Sequence, residues 1–411
     1  MWYTLALVII LLIVLYNYNL NRSFGYPPLL YAIIWFVSIF FHFLAFRFKL
    51  IDIYELSPTS LSVFTLGVIV FSIGGVFAKL KFGNSKSFEN STSPHGTNKI
   101  SRNIFIISVL FLPFNAYESY QLANEYIIID NLYMGLRIAY AEGQDVGFSK
   151  FGIIFSYVNF FIQLYLFYFK KGNKLSLYAS FILSFCYCAL STGRTFFIIL
   201  ICIIFGVMII FNRLKIKYIL IGIISFLIIF IQVGISLLKG GSAESSLSEN
   251  VSSISENIMA YFIGSLSAFD TFINSNYTIT YGENSFRFIY AFLNKIGVTD
   301  IKLVKLENEF VSIPFETNVF TIYKNYFYDF GLIFMILVIL IVSFIHTYYY
   351  YKAVNEKSFV STFIYSILLY PLIMSFFQEQ YLSLLPSWIY LMSIVYIIRY
   401  GFKKNKKAMT L

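Results

Sequence analysis

Long apolar runs alternate with short polar stretches along almost the whole chain, and most runs reach the ~20 residues that a helix needs to cross a hydrocarbon core of roughly 30 Å. Eleven spanning helices are predicted: 2–20, 28–48, 58–78, 101–121, 151–169, 175–191, 195–211, 216–238, 326–350, 358–376 and 382–400. None of these runs shows the alternation over about ten residues that marks a strand of an outer-membrane barrel. The expected fold is therefore all-α, a polytopic transmembrane helical bundle of about 11 spans. Pro27 and Pro28 open the second span, where the missing backbone donor has no intrahelical partner to lose.

Polar positions orient the bundle. If the tail "RYGFKKNKK" is cytoplasmic, the inner segments hold 19 of the 30 Lys and Arg residues, including Lys79, Lys81, Lys170, Lys171, Arg213, Lys215 and Lys352. Only Glu89 and Glu356 of the acids lie inside. This positive-inside bias predicts an outside N-terminus and a cytoplasmic C-terminus. It also assigns the net charge of +10 to a lipid surface and not to nucleic acid. At 59% hydrophobic and 12% charged residues, the composition agrees with a membrane-embedded chain. Cys186, Cys188 and Cys202 lie inside apolar runs and read as small core residues, with no disulfide framework. The first run lacks a basic n-region and a small-residue cleavage site, so it is expected to be a retained helix.

Two segments break the alternation, and both fall outside in this topology. Residues 121–150 carry scattered charges in a pattern suited to an amphipathic or re-entrant element. Residues 239–325 form a larger loop that opens Gly/Ser-rich and then turns aromatic, which predicts short helices along the outer membrane face covering a cavity. The chain thus divides into 1–238, spans one to eight; 239–325, the large extracytoplasmic loop; and 326–411, the last three spans and the basic tail.

Within the apolar stretch 175–212, "STGRT" interrupts the run. A continuous helix of that length would extend about 57 Å at roughly 1.5 Å per residue, so the chain must turn there. Gly193 offers backbone freedom, and Ser191, Thr192 and Thr195 can cap helix ends. Arg194 is left at the outer interface, where it either snorkels to lipid phosphates or binds a substrate. Two other outer arginines, Arg137 and Arg287, begin similar stretches, "RIAYAEGQDVG" and "RFIYAFLNKIG". Guanidinium groups stay charged and grip phosphate oxygens in pairs, so the three suit a pyrophosphate. In "PFETNVFTIYKNYFYDFGLIF", Asn318, Asn325 and Asp329 are spaced to lie on one helical face. Such a stripe is either a bundle-stabilising seam or a sugar-binding or catalytic wall.

The combination of "STGRT" between two spans, a large outer loop, and "ETNVFTIYKNYFYDFG" closing that loop resembles the oligosaccharide repeat unit polymerases of the O-antigen polymerase (Wzy) family. The resemblance covers roughly residues 100–380. It implies a bacterial inner-membrane protein with a GT-C-like fold that joins undecaprenyl-pyrophosphate-linked oligosaccharide repeat units on the outer face, making O-antigen or capsule. Some family members carry paired R-x-G patterns with ten intervening residues; this chain has nine. The implied chemistry is glycosyl transfer without a nucleotide sugar, so the protein must neutralise a departing pyrophosphate and deprotonate an acceptor hydroxyl. Arg194, with Asp329 and Glu316 as the nearest carboxylates, is expected in the catalytic role; Arg137, Arg287, Asn318 and Asn325 are expected to bind substrate. Glu379 and Asp270 are further carboxylates. No D-x-D pair or His/Cys cluster appears at metal spacing in the outer loops, so no metal or cofactor is expected. Expected partners are membrane lipids and a chain-length regulator and flippase of the same pathway.

Three rivals share parts of this pattern. O-antigen ligases place a histidine in the large outer loop, whereas His42, His95 and His346 lie elsewhere. A lipid-linked oligosaccharide flippase would show two similar halves, and none is visible. A membrane scaffold accounts for the spans but not for the outer arginines.

The topology is open to test. Cysteines introduced at Ser149 and Ser246 are expected to react with a membrane-impermeant thiol reagent in intact spheroplasts, and one at Ser87 is not. Labelling at Ser87 alone would invert the orientation and place Arg194 on the inner side.

Overall fold

The computed structural model describes residues 1–83, 97–126, 131–236, 262–304 and 308–408. The opening of the long outer segment, His95, and the labelling positions Ser87 and Ser246 lie outside these residues. All eleven expected spans are helices: α1 (Trp2–Leu20), α2 (Pro27–Arg47), α3 (Pro58–Phe82), α4 (Thr97–Glu125), α6 (Phe151–Tyr168), α7 (Lys174–Leu190), α8 (Arg194–Ile210), α9 (Ile216–Ser236), α12 (Tyr323–Glu356), α13 (Phe359–Ile373) and α14 (Leu385–Ala408). Between them stand α5 (Leu132–Ala141), α10 (Phe262–Ile273), α11 (Arg287–Lys295) and a two-stranded antiparallel hairpin, β1 (Val311–Ser312) with β2 (Glu316–Thr317). Among the described residues seven helices have the length and apolar character to cross a membrane, and four of the shorter apolar helices supply the remaining spans. The protein is a polytopic helical membrane protein.

The chain forms two compact, discontinuous units. One comprises Met1–Ser87, Ser255–Asn355 and Leu368–Trp388; the other comprises Phe88–Ile254, Glu356–Ile367 and Ile389–Leu411. These units cut across the three-part division read from the sequence.

The first unit is built on aromatic packing. Tyr31 of α2 stacks on Phe71 of α3 with ring centroids 3.9 Å apart, and its hydroxyl meets that of Tyr323 at 2.8 Å. Gly67 admits the Tyr323 ring, since a Cβ at that position would stand 2.1 Å from the Tyr323 hydroxyl oxygen. Hydrogen bonds tie helix ends that the topology assigns to one side. Lys79 donates to the Leu20 carbonyl at 2.7 Å, and Asn355 to that of Phe82 at 3.4 Å, all at predicted inner ends. At the opposite ends the Leu56 N–H donates to the Tyr3 hydroxyl at 3.0 Å, and the Ser57 N–H to Asp270 at 2.9 Å. The relative sidedness of these segments thus follows the predicted alternation.

The structure corrects the expectation that the long loop only lies along the membrane face. The helix α10 is buried in the first unit: Ile263, Leu266, Ala268 and Phe269 are inaccessible, and Ser267 hydrogen-bonds His42 at 2.8 Å. From Ile263 to Phe269 its residues are apolar or small and all buried, which suits a core helix and not an interfacial one, while Asp270 near its end accepts from Ser57. The short α11 is the opposite case, with no buried residue and with Ile289, Phe292 and Ile296 exposed.

In the second unit α4, α6 and α7 pack together around a polar seam. Ser101 donates to Asn159 Oδ1 at 2.7 Å, Asn159 donates to Ser180 Oγ at 2.7 Å, and Gln163 donates to Ser101 Oγ at 2.7 Å. Such bonds fix helix register where apolar side chains alone would let helices slide. The turn between α7 and α8 falls at "STGRT" as expected, but its chemistry differs. The residue in the left-handed region is Thr192, at φ 52°, while Gly193 is extended and caps α8 without a side-chain bond. Ser191 closes α7 by donating to the Cys188 carbonyl at 2.6 Å. The cysteines are free, with Cys188 and Cys202 buried. Ser149 is also buried and bonds Asn115 and Glu118, so the fully exposed neighbour Phe148 is the better site for thiol labelling.

Candidate functional site

A cavity of about 120 Å³ in the first unit is lined by polar groups from three segments remote in sequence. Asn284, Arg287 and Asn308 come from the long outer segment around α11, Asn325 from the first turn of α12, and Gln378 with Glu379 from the turn between α13 and α14. The predicted topology puts all three segments outside. Glu379 is almost inaccessible, and its carboxylate holds the turn together. Its Oε1 accepts from the Tyr326 hydroxyl at 2.8 Å and from the Tyr381 and Leu382 N–H groups at 2.6 and 2.8 Å, and its Oε2 accepts from the Ser383 N–H at 2.8 Å. Arg287 is fixed through its Nε, which donates to the Val304 carbonyl at 2.7 Å.

Beside the cavity α12 is broken. Gly331 has φ 76° and ψ −166°, a conformation outside the helical region that glycine adopts without strain. The carbonyls of Tyr328 and Asp329, just before the break, accept from the Thr280 and Tyr281 N–H groups at 3.2 and 3.1 Å. The Asp329 side chain, wholly buried, clamps the same loop. Its Oδ1 accepts from the Thr280 hydroxyl at 2.7 Å and from the Asn284 side-chain and backbone N–H groups at 2.9 and 3.2 Å; its Oδ2 accepts from the Ser285 N–H at 2.7 Å. With its lone pairs so occupied, Asp329 serves to position Asn284 at the cavity wall.

The predicted site residues separate. Arg287 and Asn325 line the cavity. Asn318 precedes α12 instead of lying on it, so the expected three-residue helical stripe reduces to Asn325 and Asp329; Asn318 reaches the cavity wall through its carbonyl, which accepts from Asn308 at 3.2 Å. Glu316 is exposed on β2. Arg137 and Arg194 belong to the second unit. Both act on Tyr133 of α5: burial pushes its hydroxyl above the ordinary tyrosine range, and the charges of Arg194 and Arg137 oppose that shift. The charges of two arginines 57 positions apart in sequence therefore bear on one side chain.

The likeness between the two arginine stretches does not extend to their structures. Arg287 is the first residue of α11, whereas Arg137 lies inside α5. Gly297 takes a left-handed conformation directly after α11, and the corresponding role after α5 falls to Gly143, not Gly147. Asn284, Asn308, Gln378 and Tyr133 were not singled out by sequence reasoning, because single amides and tyrosines in outer loops carry no spacing signal. Among the described residues no group of three or more His, Cys, Asp or Glu is arranged to hold a metal ion.

Over 264 residues the chain is 26% identical to a curated O-antigen polymerase from Shigella dysenteriae. This chain is similar to an O-antigen polymerase. The matched region is 64% of this chain and spans about 65% of the length of that relative. No family model matches, and no solved structure matches.

The Asp329 clamp makes a stability prediction. Asp329→Ala leaves four buried or half-buried donors without their acceptor and is expected to cost about 3 kcal/mol or more. Gly331→Ala forces a side chain into a glycine conformation and is expected to cost about 1–3 kcal/mol. Thermal unfolding of the detergent-purified protein, followed by tryptophan fluorescence, checks both; an unchanged melting temperature for Asp329→Ala would show the clamp to be dispensable.

Proposed function

We propose that this protein joins lipid-pyrophosphate-linked oligosaccharide repeat units into a surface polysaccharide on the outer face of the bacterial cytoplasmic membrane. The similarity to an O-antigen polymerase carries the reaction class. Arg137 and Arg194 belong to the same unit and their charges both bear on Tyr133, which is compatible with a shared pyrophosphate subsite.

In this reading the oxygen of an acceptor hydroxyl bonds to the anomeric carbon of the growing glycan. The bond from that carbon to the pyrophosphate oxygen breaks, and the hydroxyl proton passes to a base. Arg194 and Arg137 neutralise the charge that grows on the leaving pyrophosphate, which requires no metal. The candidates for holding glycan belong to the first unit taken by itself, where Arg287 and Asn325 line the cavity and Asn318 meets its wall through a carbonyl. Of the two carboxylates expected as base, Glu316 is solvent-exposed, whereas the oxygens of Asp329 are engaged by the loop. In this reading the pathway's flippase delivers the lipid-linked units to the outer face, and a chain-length regulator acts on the growing product.

Deletion of the gene is expected to leave surface glycan with a single repeat unit and to abolish the ladder of longer chains on a gel. Full-length polymer retained on its lipid carrier would indicate a ligase instead, and single units confined to the cytoplasmic side a flippase.

Arg194 supplies the sharper test. Lysine keeps the charge but not the planar fork, so Arg194→Lys should shorten the ladder and Arg194→Ala should do so further, with a loss of about 2–4 kcal/mol in transition-state stabilisation. Protein abundance measured by immunoblot separates this from misfolding. A wild-type ladder in well-expressed Arg194→Ala cells would return the arginine to a snorkelling role.

A further inference from the structure

The cavity in the first unit has a hydrogen-bonding inventory that selects its ligand. Both Asn284 amide hydrogens are used, on Thr280 Oγ1 at 3.0 Å and on Asp329, so its oxygen remains as an acceptor. Gln378 accepts from Gln380 at 3.2 Å and keeps its amide donors. Asn325 has no side-chain hydrogen-bond partner among the described residues, and so offers both donor and acceptor. Glu379 Oε2 carries one donor and retains acceptor capacity. Arg287 adds its terminal N–H groups, because only its Nε is bound to Val304. The lining therefore mixes donors and acceptors, and its two charged groups, Arg287 and Glu379, cancel.

A phosphate, which is chiefly an acceptor, would leave the Asn284 and Glu379 oxygens unpaired and would face a carboxylate. Hydroxyl groups, each both donor and acceptor, match the mixture. Size points the same way. A volume of about 120 Å³, against ~10–15 Å³ for one water by the same measure, holds on the order of ten water-sized groups, about the heavy-atom content of one sugar ring. Phe288 lines the same cavity and offers an apolar surface to the carbon face of such a ring. The helix that supplies Arg287, Phe288 and Ala291 also exposes Ile289, Phe292 and Ile296, a face suited to lipid.

The geometry points to a subsite for one neutral sugar ring of a membrane-borne glycan, bound by Asn284, Asn325, Gln378, Glu379 and Arg287. Arg287 thereby acts as a hydroxyl ligand and not as a pyrophosphate clamp. The source of the ring rests on the proposed polymerase reading; its chemistry does not.

The probe is the mixture of mono- and disaccharides released by mild acid from the host's own surface polysaccharide, separated by anion exchange into neutral and acidic fractions. Saturation-transfer NMR is run with the full-length protein in nanodiscs. The neutral fraction should receive transfer from the wild type, falling at least five-fold in Gln378→Ala and in Ala291→Phe. The second variant fills the cavity from a helix with no buried residue, and Gln378 is only half-buried in a turn, so both should keep the wild-type melting temperature. No transfer to the neutral fraction, transfer unaffected by either variant, or transfer to the acidic fraction alone that Arg287→Ala abolishes, would each overturn the subsite. An intact polymer ladder in the deletion strain would defeat the polymerase reading while leaving this binding result standing.

Discussion

A helix interrupted near the edge of a membrane leaves backbone carbonyls without their intrahelical donors, and the surrounding hydrocarbon offers none. In α12 that interruption is at Gly331, and the loop at 280–285 supplies the missing partners through the N–H groups of Thr280 and Tyr281. Asp329 binds the same loop from its side chain. The broken helix and the loop thus satisfy each other, and the pairing sets where Asn284 and the start of α11 stand. Everything on the loop side of the cavity depends on that exchange. Glu379 plays the matching part on the other wall, folding the turn between α13 and α14 around one carboxylate.

Each unit contains a short hydrogen-bonded set of buried polar side chains. In the second unit the Ser101–Asn159–Ser180–Gln163 seam joins three helices through short bonds. In the first, His42 spans Tyr3 and Ser267, joining two early helix segments to α10. Each set fixes one relative position of its helices, since sliding by a turn would strand a polar group in an apolar interior. Rigid elements of this kind can hold side chains at a site within narrow limits.

The spans were legible because apolar length is a strong and nearly context-free signal, and all eleven became helices. Short elements were harder. The buried α10 has the composition of a membrane segment but about half the length, so neither length nor amphipathicity assigns it a place. Asn318 was put on the helix by extending the period of Asn325 and Asp329 past the helix start. "STGRT" was read correctly as a turn, yet the left-handed conformation went to Thr192 instead of the glycine. The cavity was least visible, since its polar residues are single positions on three segments brought together only by the fold. Of the expected site residues, Arg287 and Asn325 line it, while the charges of Arg137 and Arg194 both bear on Tyr133, a residue that no spacing announced.

The start of α8 has a consequence for what Arg194 is doing there. It is the first residue of its helix, and Gly193 before it contributes no side-chain cap. The positive end of the helix macrodipole and the guanidinium therefore carry the same sign, an arrangement that works against helix stability by about 0.3–1 kcal/mol. Arg287 opens α11 in the same way, after an equally uncapped Phe286. Both helices carry a cation at the end where an acidic residue would stabilise them, so an oxygen lone pair arriving at either end meets two like charges at once.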